Sequence, residues 1–504
     1  MRIVSGKEMY EADRFTMEEI GLSGAMLMEN AGKALFEAMK DRLQVHERIA
    51  VLVGTGNNGG DGFVLSRYLK ENGFDVDVWV IPPEGKVKGD AAAHFGFFKA
   101  LFEWKAYKDG ESFNKHLSEY GVVIDCLLGL GVSGAIRSPY NHIIQKVNKS
   151  SVVVLSVDLP SGLKADGGFE GEYEPIRADR TYTLQCPKLS AYLYPDADYY
   201  GELEVIDIGL PRVAFSKALQ RKLWTELSVA HTLTDRTASS HKGSHGKGLV
   251  IGGSKGMVGA PIMTAKAAYR SGAGLIQAAV PEEILSMTAG TLVEAMFRGW
   301  PSEGGFFSGE VPENLSFDGI AIGPGLGRLD GGSKMVEAVL ASDTSLVMDA
   351  DALYHLNELK DQLKGRKGTT VLTPHPGEMA RLTGLSIQEV QNNRFEVSRS
   401  FAEEYNVYLV LKGPYTVVTS PDGTQFINTS GNSALAKGGS GDVLTGMILA
   451  FIMNSKSIHE GISNVVYVHG KAADVLVQSN HSTLDVLATD VIDTIPAVLH
   501  SFLE

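Results

Sequence analysis

Short apolar runs that end in a glycine or an aspartate recur along this chain of 504 residues. Runs of this length without polar alternation are typical of parallel strands whose two faces are both covered by helices. In the first half, the candidate strands are Ile49–Val53, Val76–Ile81, Val122–Asp125, Val152–Val157, Thr181–Leu184 and Leu203–Ile206. Helical patterns lie between them, at Asp61–Glu71 and Tyr140–Val147, and a helical segment over Gly6–Leu43, broken near Gly21 and Gly24, precedes them. The pattern predicts a doubly wound α/β domain.

A second alternation follows in the other half of the chain. Its candidate strands are Leu249–Ile251, Leu275–Val280, Gly319–Ile322, Leu346–Met348, Val371–Leu372, Val407–Leu411 and Tyr415–Thr419. Its candidate helices are Ala260–Ser271, Pro376–Leu382, Ile387–Tyr405, Asp442–Phe451, Ile458–Val477 and Ala488–Leu503. Between the halves, over Pro211–Asp235, the strand pattern lapses, and 504 residues exceed what one core ordinarily supports. We therefore predict two α/β domains, the first with a Rossmann-like sheet. The polar stretch Ser239–Lys247 is interpreted as a flexible linker or, alternatively, as a basic flap that touches a phosphate.

Composition narrows the functional class. The formal net charge of −14 argues against binding to nucleic acid or anionic membranes, although helix N-termini still bind phosphates locally. The two cysteines, Cys126 and Cys186, form no metal or disulfide pattern. The first residues lack the apolar core of a secretory signal, and the apolar run around Met447–Met453 is too short to span a bilayer. We expect a cytoplasmic protein with small-molecule ligands.

Glycines and polar residues follow three strands of the first half. Ile49–Val53 runs into a turn whose glycines let backbone amides approach a pyrophosphate, Gly54-Thr55-Gly56-Asn57-Asn58-Gly59-Gly60-Asp61-Gly62. Its spacing departs from the ordinary dinucleotide fingerprint, so a merely tight connection is the alternative. Because the carboxyl ends of parallel strands meet at one edge, Asn58, Asp125, Asp158 and Ser161 are expected to converge. Their oxygens suit a hard cation such as K⁺, Mg²⁺ or Ca²⁺ rather than zinc, although each aspartate alone could equally cap a turn.

The run Asn57–Gly62, with Gly129–Ala135 and Asp158–Gly162, resembles the YjeF N-terminal family. Members of that family are epimerases that interconvert the R and S forms of hydrated NADH and NADPH. The resemblance implies that Asn58, Asp125 and Ser161 hold a K⁺ ion. It also implies a substrate site formed by Asn57, Asn58, Gly59, Gly60, Asp61, Gly129, Leu130, Gly131, Val132, Ser133, Gly134, Ala135, Tyr140 and Asp158. Asp158 is the best acid/base candidate, because inverting a carbon that bears a hydroxyl requires proton transfer.

The most specific motif of the second half is Gly438-Gly439-Ser440-Gly441-Asp442, directly before an apolar helical pattern. Backbone N–H groups at such a helix start form an anion hole for charge on a transferred phosphoryl group. Asp442 is placed to take a proton from a substrate hydroxyl, which then attacks the phosphorus. The alternative is that Asp442 is simply the N-cap of the helix. Lys412, at the end of another strand, is a candidate for holding nucleotide phosphates.

Further strand ends carry Gly323–Gly327, Thr373–Glu378, and the pair Asp349 and Asp351, which either help to bind a metal or cap a helix. Together with Gly438–Asp442, the loop Thr373–Glu378 resembles the YjeF C-terminal family of NAD(P)H-hydrate dehydratases, within the ribokinase-like superfamily. The resemblance implies that the hydrate is contacted by Ala260, Gly325, His375 and Asp442. It implies that ADP, with Mg²⁺, is bound by Lys412, Gly413, Pro414, Tyr415, Thr416 and Gly441.

The two resemblances imply an epimerase at residues 1–213 and an ADP-dependent dehydratase, yielding AMP and phosphate, at residues 225–502. A kinase-type fold suits a dehydration because a phosphorylated hydroxyl leaves more readily than a free one. Two alternatives stay open: a small-molecule kinase, for example of a vitamin precursor, fused to a nucleotide-binding module, and a first domain that binds without catalysing. We also expect a homo-oligomer, by resemblance alone.

Overall fold

The computed structural model describes residues 1–81, 83–108, 110–132, 134–168, 174–216, 220–311 and 315–503. The chain divides into two compact units, Met1–Leu219 and Gln220–Glu504, and each contains its own sheet and its own core. Ser133, one of the residues predicted for the substrate site, lies outside the described residues. No helix within the described ranges is both long enough and apolar enough to cross a membrane.

The first unit is a parallel sheet with helices on both faces, as predicted. Its strands are β1 Ile49–Val53, β2 Val76–Val80, β3 Lys105–Ala106, β4 Val122–Cys126, β5 Val153–Val157, β6 Arg180–Leu184 and β7 Glu202–Ile206. Its helices are α1 Gly6–Glu18, α2 Gly24–Met39, α3 Asn57–Glu71, α4 Gly89–Leu101, α5 Gly110–Leu117 and α6 Tyr140–Asn148. The strand order is β3-β2-β1-β4-β5-β6-β7, with every pair parallel. The chain therefore reverses its direction across the sheet between β1 and β4, where open α/β sheets bind ligands.

The alternation of side chains along β1 shows why its apolar run is continuous. Ile49, Val51 and Val53 belong to one apolar cluster, whereas Ala50 and Leu52 belong to the cluster on the other face of the sheet. All five residues are fully buried. Because β1 is covered on both sides, it has no solvent-facing position, and all of its residues are apolar.

The second unit contains a larger mixed sheet. Its strands are β8 Arg221–Trp224, β9 Lys247–Ile251, β10 Leu275–Pro281, β11 Met296–Trp300, β12 Ser302–Glu303, β13 Phe306–Phe307, β14 Gly319–Ile322, β15 Ser345–Met348, β16 Thr370–Leu372, β17 Tyr408–Leu411, β18 Val417–Thr419 and β19 Gln425–Asn428. Its helices are α7 Glu226–Thr232, α8 Gly259–Arg270, α9 Leu285–Thr288, α10 Asp330–Leu340, α11 Asp351–Leu359, α12 Pro376–Thr383, α13 Ile387–Asn392, α14 Arg394–Tyr405, α15 Ser440–Asn454, α16 Ile458–Ser479 and α17 Ala488–Leu503. The main sheet has the order β11-β10-β9-β14-β15-β16-β17-β18-β19-β8, and β18 is antiparallel to both of its neighbours.

Two details of the predicted elements differ from the structure. The stretch Pro211–Asp235, where the strand pattern of the sequence lapses, contains β8 and α7; β8 lies at the sheet edge and includes charged residues, so it lacks the apolar signature. The predicted helix Ile387–Tyr405 is two helices, α13 and α14, that meet at Asn393. The Asn393 side chain donates to the carbonyl of Glu389 (3.1 Å), a local hydrogen bond typical of helix ends rather than interiors.

The polar stretch before β9 lies far from the predicted phosphate site. It forms a short 3₁₀ turn, Lys242–His245, and the carbonyl of His245 accepts a hydrogen bond from Asn454 Nδ2 (3.1 Å) at the last residue of α15. Asp442 lies about 18 Å away along the same helix, at 1.5 Å per residue. The interpretation as a flap over the phosphate is therefore wrong for this conformation.

Candidate active sites

A cavity of about 620 Å³ lies in the first unit beside the carboxyl ends of β1 and β4. Of the residues predicted for the substrate site, it brings together Asn57, Asn58, Asp61, Gly129, Leu130, Gly131, Val132 and Asp158. Gly59, Gly60, Gly134, Ala135 and Tyr140 are not among the described residues that line it, so their substrate contacts stay a prediction. The predicted convergence of the strand ends at this edge is present in the structure.

Gly59 and Gly60 are needed for packing rather than for a turn. The structure places Asn57–Asp61 inside the first turns of α3, not in a loop ahead of it, with Gly56 as the N-cap. A Cβ atom at Gly59 would lie 2.4 Å from the carbonyl oxygen of Gly54. Glycines here let α3 lie directly against the backbone at the end of β1, which brings its amino end, with the positive end of the helix dipole, to the cavity.

Four of the ionisable side chains that line this cavity, Asp13, Asp61, Asp158 and Lys188, interact with one another. Asp158 Oδ1 accepts hydrogen bonds from Lys188 Nζ and from the Leu184 amide (3.1 Å), and the Lys188 side chain is only 1% exposed. Asp158 also has a φ of 68°, a left-handed conformation that residues other than glycine rarely adopt and that concentrates at functional sites. Burial raises the pKa of Asp61 well above its usual value, and the charges of Asp158 and Asp13 add to the rise.

Asp13 and Lys188 were missed in the sequence. Neither follows a glycine turn; Asp13 lies in the middle of an ordinary amphipathic helix, and Lys188 follows β6 in a loop. Lys188 could have been identified from the sequence, because it is the one charged residue in the run 181–195. A lysine buried in such a run rarely lacks a carboxylate partner.

The oxygens predicted to hold K⁺ lie directly behind the cavity wall. The Asn58 amide donates through Nδ2 to the carbonyl of Leu128 (2.9 Å), while its Oδ1 is buried without a hydrogen-bond partner. Asp125 is fully buried and accepts hydrogen bonds from the Ser161 amide (2.9 Å) and hydroxyl (2.6 Å) and from the Ser156 hydroxyl (3.0 Å). An orphaned amide oxygen, a carboxylate and a main-chain carbonyl are a donor set that fits a hard monovalent cation.

In the second unit, the glycine motif forms the start of α15. Gly439 is the N-cap with a φ of 94°, and no side chain caps the helix, so Asp442, at the third helical position, is not an N-cap. The amides of the first turn have no acceptor within the helix and point outward with the positive end of its dipole. Burial raises the pKa of Asp442 to about 7; the charges of Asp349 and Asp351 act in the same direction, and Lys412 opposes them.

Lys412 and Asp349 form a buried ion pair beside this helix start. Lys412 Nζ lies 2.7 Å from Asp349 Oδ1, and Asp349 Oδ2 accepts from the hydroxyl of Thr445 in α15 (2.8 Å). Burial opposes the charged form of Asp349, yet the ammonium of Lys412 and the hydroxyl donors hold its pKa below the usual range. A Cβ atom at Gly441 would lie 3.4 Å from both Asp349 Oδ2 and Lys412 Nζ, so the strand-end lysine and the glycine motif meet at one point. Asp349 therefore orients Lys412. Asp351 instead accepts hydrogen bonds from the Gly327 amide (3.0 Å) and from Arg328 Nε (3.0 Å).

The buried side chain of Arg394 holds the turn after Lys412 in place by hydrogen bonds. Arg394 donates through one guanidinium nitrogen to the carbonyls of Leu411 (2.9 Å) and Lys412 (3.3 Å). Gly413 has a φ of 142°, and a Cβ atom there would lie 2.7 Å from Arg394. The Thr416 hydroxyl donates a hydrogen bond to the carbonyl of Gly413 (2.9 Å), which closes the turn. The turn carries the remaining predicted nucleotide residues, Pro414 and Tyr415, the latter with a φ of 52°.

The residues predicted to contact the hydrate lie at or beside helix starts and in the loop after β14. Gly325 and Ala260 are adjacent, because a Cβ atom at Gly325 would lie 3.2 Å from that of Ala260. His375 is the N-cap of α12: its Nδ1 accepts from the amide of Gly377 (3.0 Å), and its amide donates to Glu378 Oε2 (2.7 Å). Burial raises the pKa of Glu378 to about 7, with Lys412 opposing the rise. The His375 ring is thus held by its capping role and is still more than half exposed.

The fold and these sites define a two-domain α/β enzyme whose second unit is ribokinase-like, with both sites at the carboxyl ends of parallel strands. Residues 24–190 match the family described as YjeF-related protein N-terminus, and residues 248–497 match the NAD(P)H-hydrate dehydratase family.

Similar proteins cover the full chain. The bifunctional NAD(P)H-hydrate repair enzyme of Moorella thermoacetica is 35% identical, with 100% of this chain and 98% of that protein covered. The enzyme of the same description from Escherichia coli is 31% identical, with 98% and 93% covered. The crystal structure of the ADP/ATP-dependent NAD(P)H-hydrate dehydratase from Bacillus subtilis, co-crystallised with ATP and Mg²⁺, covers 56% of this chain and 98% of its own, with 36% identity and a TM-score of 0.50. The chain belongs to the family of bifunctional NAD(P)H-hydrate repair enzymes.

Proposed function

We propose that this chain repairs hydrated NADH and NADPH, with epimerisation between the R and S forms in the first unit and ADP-dependent dehydration of the S form in the second. The observation that carries the proposal is the meeting of Gly441, Lys412 and Asp442: anion-binding amides, a fixed cation and a carboxyl group with a pKa near neutrality. Membership of the family supports both activities.

Dehydration begins with proton transfer to Asp442 from the hydroxyl of the hydrate. The hydroxyl oxygen attacks the terminal phosphorus of ADP, and AMP leaves. The amides at the start of α15 and the ammonium of Lys412 stabilise the charge on the transferring group. Phosphate then leaves with the electrons of the carbon–oxygen bond, and loss of a proton from the neighbouring ring carbon restores the dihydronicotinamide ring of NADH or NADPH.

The remaining predicted residues are assigned to the two substrates. Lys412–Thr416 and Gly441 bind the nucleotide, and Ala260, Gly325 and His375 position the hydrate. Among the described residues no group of three or more His, Cys, Asp or Glu side chains forms a metal site, which agrees with Mg²⁺ binding through one protein carboxylate and the phosphates. Glu378 is buried, and its Oε2 lies 3.9 Å from Lys412 Nζ; its carboxylate would hold the Mg²⁺ ion. Mg²⁺ there would offset the charge of the phosphates.

In the first unit, Asp158 acts as acid/base on the hydroxyl-bearing carbon, with its charge matched by Lys188. The amide start of α3 and the loop Gly129–Val132 hold the substrate. Asn58, Asp125 and Ser161 would hold K⁺. The ion would keep the start of α3 and the loop Gly129–Val132 together. Its effect is measurable without turnover, because an ion that binds only the folded state raises the unfolding temperature. We expect K⁺, but not Li⁺, to raise the unfolding temperature of the chain, and Asn58→Leu to abolish the difference.

Chromatography of racemic hydrated NADH after incubation with ADP tests the proposal. Consumption of both epimers supports two working sites, whereas consumption of the S epimer alone means that the first unit binds without catalysing. A panel of vitamin alcohols with ATP serves as the control. Phosphorylation of an alcohol in that panel without recovery of NADH would establish the kinase alternative and overturn the proposal. Replacing ADP with ATP in the same assay determines which nucleotide the enzyme prefers.

A further inference from the structure

We infer that Asp13, on the N-terminal helix α1, is a further catalytic residue of the first site and donates the proton that epimerisation requires. It shares the cavity with Asp61, Asp158 and Lys188. The inference rests on the proposed epimerase function. Helix α1 precedes residues 24–190, the segment that matches the N-terminal family, so that match does not include Asp13.

Helix α1 forms one wall of the cavity. Met9, Asp13 and Met17 line it, at the four-residue spacing that places side chains on one helix face. The helix is attached to the same segment that carries Lys188, because the amide of Val4 donates to the carbonyl of Pro187 (3.1 Å) and Val4 pairs with Lys188 as an isolated parallel bridge. The position of Asp13 relative to Lys188 is thus set by direct backbone contact.

The charges in the cavity do not balance. Lys188 is the one basic side chain among the described residues that line it, and it faces the carboxyl groups of Asp13, Asp61 and Asp158, with Asp90 on α4 lining the same cavity. Asp158 accepts the hydrogen bond from Lys188 and so carries the matched negative charge. The other two carboxyl groups compete for a proton, because burying several like charges is costly. A carboxylate paired with a lysine and two carboxyl groups with raised pKa values therefore lie together in one pocket, the arrangement that acid/base catalysis requires.

Asp13 is better placed than Asp61 to donate repeatedly. Asp61 is almost fully buried in α3, where burial raises its pKa well above its usual value and leaves it little contact with solvent. Asp13 is partly exposed, so solvent can return the proton after each transfer. Burial raises the pKa of Asp13 to about 6, with Lys188 opposing the rise and Asp158 adding to it.

The epimerisation step in which Asp13 donates its proton needs no further reagent, because water leaves and water adds. Its proton goes to the hydroxyl oxygen on the carbon next to the ring nitrogen, the carbon–oxygen bond breaks, and the nitrogen lone pair forms a carbon–nitrogen double bond as water is released. Water then adds to the other face of that carbon, the lone pair returns to nitrogen, the Asp158 carboxylate takes the proton of that water and releases it to solvent, and solvent returns a proton to Asp13. No atom is gained or lost between the two epimers.

Exchange between the purified epimers, followed by chromatography without ADP, tests the inference in the full-length protein. For the unmodified chain we expect the exchange rate to fall as pH rises through about 6, because the donor loses its proton. Asp13→Asn should lower the rate by about 100-fold and abolish this pH dependence. Asp13→Glu, which keeps a titratable acid, should restore part of both. Glu11→Gln, the same charge change on the exposed face of α1, should alter neither.

The second activity of the chain is an internal control. Dehydration of the S epimer with ADP should be unchanged in Asp13→Asn, and an unchanged thermal unfolding profile of the same variant distinguishes a lost proton donor from a misfolded first unit. An unchanged exchange rate and pH profile in Asp13→Asn, with exchange abolished in Asp158→Asn, would overturn this inference and leave the epimerase proposal standing. If neither variant affected exchange, the epimerase site itself would be wrongly assigned.

Discussion

The pH dependence of dehydration tests the role of Asp442 most directly. Burial, Asp349 and Asp351 raise the pKa of this carboxyl to about 7, against the effect of Lys412. A base with that pKa is about nine-tenths ionised near pH 8 and about one-tenth ionised near pH 6. Because only the carboxylate accepts a proton, kcat/KM for the S hydrate should fall about tenfold from pH 8 to pH 6.

The assay follows the recovered absorbance of reduced nicotinamide with purified S hydrate and saturating ADP, with thermal unfolding checked at each pH. Asp442→Asn should lower the rate by about 10²- to 10⁴-fold, or about 3–5 kcal/mol of barrier, and leave the residual rate independent of pH. Asp493→Asn is the matched control, because Asp493 is a half-exposed aspartate of the same unit, paired with Lys266 (2.8 Å). A rate within about threefold of the unmodified chain in Asp442→Asn would refute the reasoning.

Asp349→Asn moves the same pH profile in a direction that the geometry dictates. The change removes a negative charge that raises the pKa of Asp442, and it releases Lys412 Nζ, now 2.7 Å from Asp349, to interact with Asp442 instead. Both effects stabilise the ionised form of Asp442, so the fall in kcat/KM should occur at lower pH. A midpoint that stays at about 7 would show that the titrating group lies elsewhere.

Three further substitutions test the supports of the two sites. Gly439→Ala places a Cβ where φ is 94° and neighbouring atoms lie within 3.0 Å, so the free energy of unfolding should fall by about 1–3 kcal/mol in denaturant titration. Arg394→Met leaves two buried carbonyls at the base of the Gly413 turn without a donor; the KM for ADP should rise with little change in kcat, and an unchanged KM would contradict a positioning role. Ser5→Ala removes the hydroxyl that accepts from the Glu8 amide (3.1 Å) but keeps the Ser5 amide that donates to Glu8; losing this half of the capping box of α1 should cost about 1 kcal/mol, measured as faster amide hydrogen exchange in that helix.

The order and length of most strands follow from the sequence alone. Ile49–Val53 and Gly319–Ile322 begin and end where their apolar runs do, because both faces of these strands are covered and apolar residues fill every position. The glycine motifs were equally readable, since both stand directly at strand or helix ends. Edge strands such as Arg221–Trp224 were not readable, because one side of an edge strand is unpaired and its side chains include solvated charges.

Which charged groups meet was decided only by the tertiary structure. Asp13 and Lys188 lie 175 positions apart, and Asp349 and Lys412 lie 63 apart, yet each set shares one buried environment. Local propensity and periodicity contain no information about such distances, because the pairing depends on strand order and on the register of helices against the sheet. The sequence by itself thus determined where anion-binding turns and carboxylates occur, and the packed fold determined which carboxylates lose solvent and therefore hold protons near neutral pH.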